Sequence, residues 1–113
     1  TAGCSSPTRG LRGGGKTSSE VDTIDFVTIA STGNATDFGN LTDQRSHLAS
    51  ASSHIRGLFT GGYDQPSVFN IIDFVTIAST GDAVDFGDLT FTGLDNGKAR
   101  NPAGCSDSNG GLL

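Results

Sequence analysis

Ile24 to Thr42 reads IDFVTIASTGNATDFGNLT, and Ile72 to Thr90 reads IDFVTIASTGDAVDFGDLT. Sixteen of the 19 positions are identical, at an offset of 48. The exceptions are Asn34/Asp82, Thr36/Val84 and Asn40/Asp88. Self-similarity of this length marks a repeat architecture, and it governs how the rest of the chain is read.

The repeat extends upstream. Ser6 to Gly14 aligns with Ser53 to Gly62 once one residue is allowed as a gap, with Gly13-Gly14 set against Gly61-Gly62. A third opening follows the second copy: Gly104 to Leu112 is similar to Gly3 to Leu11. The 113 residues therefore read as a single repeat domain over 1–113. Repeat 1 covers about 4–50, repeat 2 about 51–104, and a partial repeat 105–113. Cys4, Ala51 and Cys105 hold equivalent positions, which argues against a disulfide within one chain and favours free thiols.

In repeat 2, Gly57-Leu58-Phe59-Thr60 is a short apolar run stopped by Gly61-Gly62, so it reads as a strand. Tyr63 to Val68 is polar and contains Pro66, so it reads as a loop. Phe69 to Ile77 is β-branched and aromatic, the strongest strand signal present. Ile72 and Phe74 fall on one of its faces, Val75 and Ile77 on the other, so both faces should be covered. Ser79 to Asp82 is a turn, and Ala83 to Thr90 a further short strand. Gln44 to Ala51 supplies a fourth stretch. No segment carries a capped 3.6-residue period, so an all-β chain is expected.

Composition bounds the function. Seventeen glycines suit many short strands, and seven phenylalanines should anchor the core. A net charge of −5 with no Lys/Arg cluster argues against nucleic acid and against an anionic membrane surface. The apolar runs are too short for membrane insertion.

Four short strands per repeat, with a double glycine after an early one, resemble the kelch-type blade of a β-propeller. Leu58-Phe59-Thr60-Gly61-Gly62, Ile71 to Ile77, Val84 to Thr90 and Arg45-Ser46-His47 carry the likeness. The usual kelch Trp is absent, and Phe38 and Phe86 hold a comparable place. The fold expected is all-β, with kelch-like blades of four short antiparallel strands: two full repeats plus the first strand of a third. The wording of the repeat also resembles IDYVTIASTGNATDFGDLT arrays in tail-fibre and other virion structural proteins of bacteriophages. That resemblance spans roughly Cys4 to Thr90. It implies a virion or extracellular location. A propeller typically needs about 4–8 blades to close. Two blades therefore imply a homo-oligomer or a longer repeat array, closing as a ring or running on as a fibre.

Candidate sites are few. Arg9 and Arg56 precede the glycine-ended strands, while Asp25 and Asp73 lie inside apolar ones, where a lone charge is costly. One clamp per repeat is expected, Arg9 with Asp25 and Arg56 with Asp73. Asp37, Asp82, Asp85 and Asp88 lack EF-hand spacing and read as turn residues, so no metal or cofactor is expected. His47 and His54 belong to no triad pattern. Gly13 to Ser18 lacks Walker spacing and reads as a strand-end loop. Asn34 and Asn40 head sequons in form. Tyr63, Asp64 and Gln65 are the candidate ligand-binding residues, with a host-surface glycan as the partner. The function expected is a non-enzymatic structural and interaction module of a virion or extracellular appendage, contributing to host attachment. A carbohydrate-binding, lectin-like propeller is the alternative.

Overall fold

A computed structural model describes residues 1–64, 67–90 and 104–105. Among them the chain is all-β. It forms ten strands: β1 (Ala2–Ser5), β2 (Arg9–Gly13), β3 (Thr23–Thr28), β4 (Thr36–Asn40), β5 (Ala49–Ser52), β6 (Arg56–Thr60), β7 (Tyr63–Asp64), β8 (Ser67–Val68), β9 (Ile71–Thr76) and β10 (Val84–Asp88). Two antiparallel four-stranded meanders result, β1-β2-β3-β4 and β5-β6-β9-β10, with β7 and β8 paired in the loop after β6.

Each sheet is built by the same local devices. Ser6 Oγ accepts the Arg9 N–H at 3.1 Å, and Ser53 Oγ accepts the Arg56 N–H at 3.0 Å. These serine turns reverse the chain between the first two strands of each sheet. Phe38 is an extra residue opposite the Ile24/Asp25 step, and Phe86 is its counterpart opposite Ile72/Asp73. Each is a bulge that aims a ring at the neighbouring strand. Phe26–Phe38 and Phe74–Phe86 meet edge to face at 5.8 Å and 6.0 Å.

Three boundaries differ from the sequence expectation. The stretch Gln44 to Ala51 is not the last strand of repeat 1: its strand, β5, opens the second sheet. The paired glycines with left-handed φ are Gly14-Gly15 (65° and 120°) and Gly61-Gly62 (65° and 112°), so the gap falls in the loop downstream of them. Tyr63 to Val68 contains a short ladder, because Lys16↔Glu20 and Tyr63↔Val68 pair at equivalent places.

The sheets pack face to face. The face of the first sheet that carries Leu11, Ile24 and Phe38 is here called its front. It meets the back of the second, which carries Phe59, Val75 and Ile77. Together these residues form the core. Cys4 Sγ fills a notch at Gly57, lying 2.7 Å from where a Cβ would stand. Arg9 stacks 4.4 Å over Phe26 and donates to the Ile77 carbonyl at 2.8 Å. At the last-strand edge Gly81 N–H donates to the Phe38 carbonyl and Ala83 N–H to Asn40, both at 2.8 Å. A Cβ on Gly39 would strike the Gly81 carbonyl, so only glycine lets the edges close this tightly.

Near-identical strands are thus covered on opposite sides. The Phe69 to Ile77 stretch was expected to be covered on both faces. Instead, Val75 of β9 and Ile77 just after it are buried while Ile72 and Phe74 are only partly so, whereas β3 buries Ile24 and leaves Val27 open.

Both cysteines are free thiols, with Cys105 exposed. Burial pushes the Cys4 thiol up to about 11. Only roughly one Cys4 in a thousand is thiolate at pH 8, and the thiolate is the reactive form. A colorimetric thiol reagent at pH 8 is expected to consume one equivalent quickly and the second at least tenfold more slowly. Equal rates would mean that Cys4 is not held against Gly57.

Candidate functional site

The strap 41–48 joins the two sheets and is bonded to loops of both repeats. Gly15 N–H donates to the Arg45 carbonyl at 2.9 Å, and Arg45 N–H to Val21 at 3.2 Å. Ser46 and Tyr63 exchange backbone hydrogen bonds at 2.8 Å each way. Two polar features lie on or beside this strap.

Its buried element is an ion pair. Arg45 Nη2 meets Asp73 Oδ2 at 2.6 Å, and both side chains are wholly buried. Asp73 also accepts from the Thr42 backbone N–H at 3.1 Å and from the Thr42 hydroxyl at 2.7 Å. Arg45 Nη1 donates to the Gly61 carbonyl. Desolvation pushes the guanidinium below its ordinary pKa, and Asp73 opposes that shift. Arginine remains charged all the same. The clamp expected between Arg56 and Asp73 is therefore corrected. Arg56 lies on the far face of its sheet, stacked 4.6 Å over Phe74. The Arg9–Asp25 clamp is corrected likewise: Asp25 pairs with Arg12, its cross-strand neighbour, at 2.6 Å. The reason is strand parity, since Arg9 and Asp25 face opposite sides of one sheet.

The exposed element is a polar cluster at the loop end. Gln44 Nε2 donates to Asp64 at 3.2 Å. His47 stands edge-on to the Tyr63 ring at 6.4 Å, with its Nδ1 2.9 Å from Ser46 Oγ. His47 has φ 56°, the one left-handed non-glycine residue among those described. Such backbone strain concentrates at functional positions. Glu20 lies beneath, taking a hydrogen bond from Lys16 at 3.1 Å. That bond, first among several causes, holds its carboxyl below the ordinary value.

Tyr63 and Asp64 are thus brought together with Gln44 and His47, while Gln65 lies outside the described residues. Sequence reasoning names His47 only in the Arg45-Ser46-His47 element and outside any triad pattern; nothing joins it to Tyr63, because repeat 2 carries no counterpart. No protein-family model and no curated protein matches the chain.

Chemically the cluster suits binding better than bond-making. The Glu20 carboxylate sits on the Ser46 side, at 3.5 Å, rather than on the imidazole, and the Ser46 hydroxyl is buried. A serine activated by an oriented histidine needs the carboxylate on the imidazole and an accessible hydroxyl. What the cluster does present is an imidazole, a phenol ring, an amide and a carboxylate, a set that fits a neutral, hydroxyl-rich ligand. Among the described residues no three His, Cys, Asp or Glu side chains gather to hold a metal ion.

Proposed function

We propose that the chain is a structural and interaction module of a virion or extracellular appendage, tail-fibre-like, and not an enzyme. Its kelch-like blades assemble side by side and contribute to host attachment. The observation that supports this reading is the packing of one four-stranded meander directly on the next, with an open apolar sheet face left at each end. An antibody raised against the chain tests it. Immunogold labelling of native particles or cell-surface appendages is the expected outcome. Label confined to the cell interior would reject it.

A second reading, carbohydrate binding, is favoured by the Tyr63–His47–Asp64–Gln44 cluster. On a glycan array, binding lost on Tyr63→Ala would support it, and no binding to any glycan would leave the scaffold reading alone.

A further inference from the structure

The two open faces are copies of the two faces already joined inside the chain. Phe38 is 3% exposed under the second sheet, and its equivalent Phe86 is 52% exposed. Ile77 is 1% exposed against the first sheet, and its equivalent Ile29 is 58% exposed. Around Phe86 the front of the second sheet thus lacks the cover that the front of the first has. The back of the first lacks the cover that the back of the second has. That back is an open trough of about 730 Å³, floored by Gly10, Asp25 and Val27.

We propose that the front face of one copy of this chain docks on the back face of a second copy, through the contacts that join the two sheets internally save at the first-strand seam, where Gly104 already lies against Ser50 in the place of the second copy's Gly3. Away from that seam the internal contacts have counterparts on the open faces. The Gly57 notch that takes Cys4 recurs at Gly10, where a Cβ would meet only Val27 at 3.6 Å, and Ala51 holds the place of Cys4. Arg9 reaches the Ile77 carbonyl from its stack on Phe26. Arg56 has the same stack on Phe74, aimed at the place where a second copy's Ile29 carbonyl would stand. Asn40 N–H donates to Asp82 Oδ1 at 3.1 Å, and the equivalent pair is Asp88 with Asn34, which also carries an Oδ1. Gly39 is closed down on Gly81, while its equivalent Gly87 faces open space. One contact changes character: the Phe59 ring on Gly13 becomes Arg12 facing Thr60, so the joint between copies is more polar than the internal one.

The joint is heterologous, so repeating it closes a ring or extends a filament. The inference rests on the reading of the chain as an assembly module, but it can fail separately. Asn34→Cys and Asp88→Cys are made in two separate chains, each carrying Cys4→Ala and Cys105→Ser, and treated with a short bismaleimide. Linked dimer is expected from the mixture, and at most a tenth as much from either variant alone. Phe86→Asp in both chains should abolish linking with an unchanged circular dichroism spectrum. Equal linking of each variant with itself would overturn the head-to-tail joint while leaving an assembling module. No linking in the mixture at any soluble concentration would overturn it too, and the particle labelling would still judge the module.

Discussion

Replacing Asp73 by alanine is expected to cost about 3–5 kcal/mol of folding stability, the usual loss when one partner of a buried ion pair is removed. The variant strands the Arg45 guanidinium in a site with no access to water, and it leaves the Thr42 N–H and hydroxyl without their acceptor. The carboxylate also ties the strap to β9, so its loss frees the connection between the sheets as well as the charge. The internal control is Asp25→Ala, the same position in repeat 1. There the partner Arg12 is 60% exposed, and an ion pair in that setting contributes only about 0–1 kcal/mol. Urea denaturation of both variants checks this, with the midpoint read at constant m. Equal losses would show that the two aspartates have the same surroundings.

Phe59→Ala is expected to cost about 3–5 kcal/mol, the range for emptying a buried aromatic site. Phe59 is fully buried and its ring lies over Gly13, filling the space between the sheets. The cavity cannot collapse easily, because strands of both sheets wall it and close-packed interiors relax only partly. Its repeat-1 counterpart is the largely exposed Arg12, paired to Phe26's neighbour Asp25 across the strands. Arg12→Ala should therefore stay within about 1 kcal/mol of the parent. Thermal or urea melts of the two variants would separate these costs. A Phe59→Ala loss below that of Arg12→Ala would mean that the sheets are not held together through this ring.

The repeat and its strands were legible because β-branched and aromatic runs between glycine stops leave little else for the backbone to do. The unit boundaries were less legible. Ala49–Ser52 follows repeat 1 in sequence, yet its hydrogen bonds go forward to β6, and nothing in so short and small a stretch declares its partner. The ion pairs failed for a different reason. Arg56 and Asp73 are close in the sheet but face opposite sides, and the true partner, Arg45, sits in a strap that no periodicity describes. The polar cluster was half legible. Tyr63 and Asp64 stand out as a loop pair, whereas His47 owes its place to a left-handed backbone that only the folded strap imposes. Which face of each copy is covered could not be read at all, because the copies differ by only three residues over the stretch that decides it.

The seam between the first strands carries a geometric consequence. β1 lies against β5, joined by Ser52 Oγ donating to the Ser5 carbonyl at 3.1 Å and by Ser50 Oγ donating to Gly3. Gly104 closes on the Ser50 backbone, where even a Cβ would collide. Equivalent positions of three successive units thus meet through the smallest side chains available. The opposite edges, at Gly39 and Gly81, are set independently by backbone hydrogen bonds. Curvature is the ratio of those two spacings. A bulkier residue at position 3, 50 or 104 would widen one edge alone and so change that ratio.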